Sequence, residues 1–241
     1  MALKPDRKSN LFQDSYGNNF LLVFITFKLG KLTFFGFNFL SWISRKGILF
    51  KEVRLKNKSI YLVEEKKKDS QITSKHFFHM PERCHLYMRG IRSRGIEMLE
   101  AYGIEEINFN EEDIIIDIGA NSGDLMIGIC NKQPKVKAYN FEPDPLAFKA
   151  LQANCELEID ALAINYGLGN KVGMSEFYLS PLRGDSSVEE PLAWQQKVQI
   201  KMDTLDNWME NQEFDSDKRI KLLKLEAEGF EPEVLEGGIK S

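Results

Sequence analysis

The segment DIIIDIGANSGDL, residues 113–125, constrains the fold more than any other. Its unbroken β-branched run reads as a strand buried on both faces, the kind found inside a parallel sheet. A loop with two glycines follows, and then DLMIGICNK takes up a helical period, closed by Pro134. Glycines in such a loop let backbone approach a ligand closely. The next helix offers unpaired N–H groups at its start. The segment therefore predicts a small-molecule site on the turn after a central strand.

The chain downstream alternates in the same way. VKAYNFEP is a second strand, and Asp144 with Pro145 reads as the cap and first position of a helix through LAFKALQANCELE. ALAINYGLGN is a third strand ending in a turn. MSEFYLS and KVQIKM alternate with period two and predict an antiparallel pair. IKLLKLEAEG reads as another buried strand, and EPEVLEGG as the start of a helix. The pattern is α/β, a doubly wound Rossmann-like sheet over residues 113–241. Four core strands and a hairpin leave an apolar edge, so an incomplete, C-terminally truncated sheet is expected. Upstream, YMRGIRSRGIEMLEAYGI (87–104) reads as a lead-in helix within residues 76–112. Its Arg89, Arg92 and Arg94 are expected on a solvated face, the alternative being contact with an anionic substrate group.

Residues 1–75 form a basic, Phe-rich accessory region. They carry 15 Lys and Arg against 6 Asp and Glu, a net +9, whereas the remainder carries 17 against 30, a net −13. VEEKKKDSQ (63–71) reads as a solvated boundary. The acidic body argues against a nucleic-acid partner. In NFLLVFITFKLGKLTFFGFNFLSWI (19–43), Lys28, Gly30, Lys31 and Asn38 interrupt the apolar run, which argues against a spanning helix. Two readings stay open for residues 19–58: an element packed on the core, or a peripheral membrane contact helped by Arg45, Lys46, Lys51, Arg54, Lys56 and Lys58. Cys84, Cys130 and Cys155 lack CxxC spacing, so a reducing, cytoplasmic setting without structural zinc is expected.

The ligand of the loop follows from charge and spacing. The dinucleotide fingerprint is G-x-G-x-x-G, but this loop reads D-x-G-x-x-x-G. A pyrophosphate is disfavoured beside Asp117 and Asp124, whereas a cationic ligand tolerates them. Glu142 closes the next strand 23 residues past Gly119. A carboxylate there has two acceptor oxygens for the two hydroxyls of a ribose. S-Adenosylmethionine combines a ribose with sulfonium and ammonium charges and has no phosphate. A nicotinamide-dependent oxidoreductase and a non-catalytic nucleoside-binding module are the alternatives.

Six stretches, DIIIDIGANSGDL, YNFEPDPLAFKALQAN, INYGLGNKVGMSEFYLS, RGDSSV, IKMDTLDNWM and IKLLKLEAEGFEPEVLEGG, resemble in order the FkbM-type S-adenosylmethionine-dependent methyltransferases. The resemblance spans residues 85–241, and its KLEAEGFE block stands where the family usually reads close to K-I-D-V-E-G-x-E. It implies O-methylation of a hydroxyl on a glycan, a lipid-linked sugar or a secondary metabolite. It also implies that Gly119, Ala120 and Asn121 approach the cofactor, with Gly123 allowing close packing and RGDSSV (183–188) near the substrate entrance. Asp117 is expected either to bind the cofactor ammonium or to fix the loop through backbone N–H groups. Methyl transfer rests on alignment plus a base for the hydroxyl proton. Glu228, at the tip of the fourth core strand, is the candidate base. Glu226 is the candidate for orienting substrate or loop. No metal is expected, and His79 and His85 are expected in packing or surface roles.

Overall fold

The computed structural model describes residues 31–55, 58–66, 73–158, 160–179, 186–189, 196–212 and 219–240. Residues 19–30, Lys56, residues 67–71 and Arg183 to Asp185 of RGDSSV lie outside the described residues.

The core is a parallel sheet of β4 (Asp113–Ile118), β5 (Lys137–Phe141), β6 (Ala161–Ile164) and β10 (Arg219–Leu225), in the order β10-β4-β5-β6. Each residue of β4 is buried, and successive side chains point to opposite faces. Ile115 packs with Leu99, Leu125, Met126, Ile129 and Leu151 on one side. Ile114, Ile116 and Ile118 pack with Phe141, Leu205, Trp208 and Val234 on the other. The first layer holds α2 (Ile91–Tyr102), α3 (Asp124–Lys132) and α4 (Pro145–Cys155), and the second holds α5 (Leu205–Glu210) and α6 (Glu231–Glu236). Helices on both faces make the sheet doubly wound, as expected. The α2 and α3 backbones touch where Gly95 meets Gly128, since a Cβ on Gly128 would lie 2.5 Å from the Gly95 carbonyl oxygen.

Two local readings need correction. The ALAINYGLGN strand is split: β6 stays in the core sheet, whereas β7 (Gly167–Leu168) joins β8 (Gly173–Leu179) and β9 (Gln196–Asp203) in a separate sheet, β7-β9-β8. The β8–β9 pair is antiparallel, as its period requires. IKLLKLEAEG, read as buried, lies at one side of the sheet, with Ile220 and Leu223 about 40% exposed at 39% and 41%. Both border an apolar groove with Ile116, Leu205, Val234 and Leu235.

Upstream of the core lies an antiparallel sheet of β1 (Ile48–Leu55), β2 (Lys58–Lys66) and β3 (Thr73–Phe78), covered by α1 (Lys31–Ile43). Phe34 and Phe37 of α1 bury against Phe50, Phe78 and Tyr61. The expected boundary at residue 75 falls inside β3, and Val63 to Lys66 of the supposed linker lie in β2. The layer is stitched to the core by Asn154 of α4, which accepts from the Phe77 amide at 2.7 Å and donates to the Phe77 carbonyl at 2.8 Å. Among the described residues no helix is long and apolar enough to cross a membrane.

Candidate functional site

All four core strands run parallel, so their carboxyl ends form one rim. Successive backbone bonds sew that rim together. The Glu226 amide donates to the Ile118 carbonyl, the Gly119 and Ala120 amides to Phe141, and the Glu142 amide to Ile164. The loop after β4 is left-handed at Gly119 (φ 75°), Asn121 (φ 52°) and Gly123 (φ 82°). Asn121 tolerates this region because its Oδ1 accepts from the Ser122 amide at 2.9 Å.

The fold itself requires glycine at residue 119. A Cβ there would sit 1.9 Å from the Glu226 carbonyl oxygen. The close approach is made by the neighbouring β10 tip. At Gly123 a Cβ would lie 3.0 Å from Leu151 of α4, so the loop packs closely on that helix.

Glu142 is buried beneath the loop. Its Oε2 accepts from the Asn121 amide at 2.7 Å, and its Oε1 accepts from the Asp144 amide at 2.8 Å. It thereby braces the glycine loop against the β5–α4 turn. Burial and the nearby Asp144 carboxylate push its acid up to about 8, against the pull of the two amides. Asp144 caps α4 through the Leu146 and Ala147 amides, as its sequence position indicates.

Both acids, read as tolerated by a cationic ligand, are already paired from within. Asp117 is buried, with Lys224 Nζ 3.0 Å from its Oδ1. The same ammonium donates to the carbonyls of Ile118 and Gly119 at 3.1 and 2.7 Å. Asp117 thus holds a lysine that in turn holds the loop. Asp124 is also buried, and it receives His76, Arg83, Tyr87 and Arg94. Burial alone would raise its acid, but Arg94, the His76 hydrogen bond and Arg83 hold it well below the usual range. Arg94 therefore leaves the solvated face expected for it. Arg92 stays exposed, and Arg89 reaches Glu97 at the surface.

The two candidate catalytic acids follow β10. Glu226 accepts a hydrogen bond from the Tyr102 hydroxyl and lies 3.6 Å from Lys224 Nζ. Its side chain is half exposed. Glu228 is exposed on the turn to α6, in the left-handed region at φ 52°. Ser187 Oγ donates to the Glu228 carbonyl, and Ser186 Oγ donates to Asp144 Oδ2, both at 3.1 Å. The described part of RGDSSV therefore bridges the rim from the β5 side to the β10 side. His79 is buried neutral, its imidazole pushed down to about 3 by burial and Arg83, with Nδ1 3.1 Å from Ser122 Oγ. His85 contacts the Glu82 carbonyl.

Sequence reasoning missed Lys224, Tyr102 and Asn154. Lys224 left one signal, a lysine at an inward position of an apolar strand. Asn154, whose amide also donates to the Ser122 carbonyl at 2.7 Å, left none.

Residues 117–241 match the methyltransferase FkbM domain family. A curated relative, the methyltransferase sdnD of Sordaria araneosa, is 27% identical over 161 residues, which is 54% of this chain and 62% of the relative. The chain thus spans somewhat under two thirds of the relative it matches. No solved structure matches the chain. A match over slightly more than half of the sequence, seated on the sheet whose rim carries the glycine loop and Glu142, places the chain in the FkbM methyltransferase family.

Proposed function

We propose that the protein is an S-adenosylmethionine-dependent O-methyltransferase acting on a hydroxyl of a glycan, a lipid-linked sugar or a secondary metabolite. The observation that carries the reading is Glu142, a buried acid at the carboxyl end of β5 whose oxygens each accept one amide N–H. In the ionised form each oxygen keeps a lone pair, which suits a vicinal diol. Gly119, Ala120 and Asn121 would lie along the rest of the cofactor, and Glu142 would hold its ribose. When bound, the cofactor supplies an electrophilic methyl group.

The chain's own part is positioning and proton removal. Lys224 fixes the Ile118 and Gly119 carbonyls, so the loop is held before any ligand arrives. Glu228 is the proposed base for the acceptor hydroxyl, exposed on the β10–α6 turn. Glu226, held by Tyr102 and Lys224, is suited to orient the acceptor or the loop. Asp117 serves the cofactor through Lys224 and the loop.

The test is transfer of a labelled methyl group to a panel of hydroxylated glycans, glycolipids and metabolites. Transfer by the parent that falls at least a hundredfold in Glu228→Gln, with cofactor affinity kept, supports the assignment, since a positioned base contributes about 10²–10⁴-fold. Unchanged transfer in Glu228→Gln removes the base role. Cofactor binding with no transfer across a broad panel favours the nucleoside-binding module.

A further inference from the structure

The α1 helix buries one face and leaves the other bare. Phe34, Phe37 and Ser41 point inward at 7%, 4% and 5% exposure. Phe35 and Trp42 are each 75% exposed, and Phe39, Leu40 and Ile43 are all above half. Single exposed apolar residues are ordinary, but five on one helix face form a contact surface.

The helix is held so that this face cannot turn inward. Asn38 accepts from the Phe50 amide at 2.8 Å and donates to the Phe50 carbonyl at 3.0 Å, and Ser41 Oγ accepts from the Ile48 amide at 2.9 Å. The helix and its flanks carry charge of one sign in the sequence, while Glu52, Glu64 and Glu65 lie on the sheet beneath. From Lys31 to Lys46 the chain has three basic residues and no acid, within a region of net +9. Arg45 and Lys46 directly follow the apolar face and are exposed. Lys46 also donates to the Met88 carbonyl at 3.3 Å. Trp and Phe over basic residues is the arrangement of helices lying in a lipid headgroup layer.

We propose that the outer face of α1 docks on an anionic phospholipid bilayer, Phe35, Phe39 and Trp42 entering the headgroup boundary and Arg45 and Lys46 meeting lipid charge. The charge decides among occupants. A second copy of this chain would bring two regions of like sign together, whereas an anionic bilayer complements them. Each basic residue near such a surface changes affinity about fivefold.

The test is co-sedimentation of the full chain with neutral phosphatidylcholine vesicles and with vesicles containing one third phosphatidylserine. Phe35→Ser/Trp42→Ser and Arg45→Glu/Lys46→Glu are run beside the parent, with circular dichroism and size-exclusion light scattering on each. The altered side chains are exposed, so the fold is expected to persist. Binding to anionic vesicles only, weakened at least tenfold by either variant and by 0.5 M salt, is the expected result. Absence from every pellet overturns the proposal. So does binding that neither variant changes, because another segment then makes the contact. Self-association lost in Phe35→Ser/Trp42→Ser, without vesicle binding, overturns it in favour of a second copy.

Discussion

Asp124→Asn tests whether the β1–β3 layer and the glycine loop are one structural unit. The Asp124 carboxylate stands at the first turn of α3 and is 5% exposed. Arg83 and Arg94 reach its Oδ2 at 3.3 and 2.8 Å, while His76 and Tyr87 reach Oδ1 at 3.1 and 2.7 Å. The partners come from β3, from the turn 81–87 and from α2. Asparagine keeps the shape but sets an amide N–H against two guanidinium groups. Breaking a buried pair from one side costs about 3–5 kcal/mol. Both arginines keep some water, at 18% and 15% exposure, so the lower end, about 3 kcal/mol, is expected. Domain stabilities are about 5–15 kcal/mol, so the change is large. Urea unfolding should show a lower midpoint at an unchanged slope. The pH dependence is fixed in sign. The folded acid lies below its unfolded value, so its contribution is complete above about pH 4 and is lost as pH falls through the folded value. The gap between parent and variant should therefore be constant from about pH 8 to 5. A loss under about 1 kcal/mol, the scale of an exposed ion pair, or a gap that closes above pH 6, would refute the reasoning.

Other outcomes follow from single contacts. Gly119→Ala should destabilise by about 2 kcal/mol or more and move the β10 tip, because its Cβ would lie 1.9 Å from a carbonyl oxygen at positive φ. Stability within 0.5 kcal/mol of the parent would contradict this, being the ordinary range for a neutral surface change. Lys224→Met leaves Asp117 an uncompensated buried acid and should cost about 3 kcal/mol, with Lys224→Met/Asp117→Asn recovering much of it in a double-mutant cycle. Additive effects would sink that account. Glu142, raised to about 8 against an unfolded value of 4.5, contributes stability that is present below about pH 4.5 and lost as pH rises through 8. Glu142→Gln should therefore flatten the pH profile between 5 and 8, and an unchanged slope would argue against it. The buried His79 imidazole should stay neutral down to pH 5 in histidine-selective NMR, and a midpoint near 6.5 would contradict its placement.

What could be read from the chain was local. The β4 strand, the Asp144 cap with Pro145 and the β8–β9 pair follow from period and capping chemistry within a dozen residues. What could not be read needed long-range partners. TSKHFF became β3 because β2 and Asn154 pair with it, and its own pattern is too short to show that. Asp117 and Asp124 look like open acids in a sequence, since nothing local reveals that Lys224 and Arg94 fold back onto them. IKLLKLEAEG has the apolar content of a central strand, but its place in the sheet depends on neighbours. Gly119 was legible as necessary, whereas its contact with the Glu226 carbonyl lies across the rim and has no local signal.

The central claim is that the rim of β4 and β5 holds S-adenosylmethionine through the glycine loop and Glu142. Calorimetric titration with S-adenosylmethionine and its demethylated product tests it directly, with NAD as control and Glu142→Ala beside the parent. Saturable binding of the first two, none of NAD, and loss of binding in a folded Glu142→Ala are the expected results. Folded parent that takes NAD and ignores S-adenosylmethionine would contradict it.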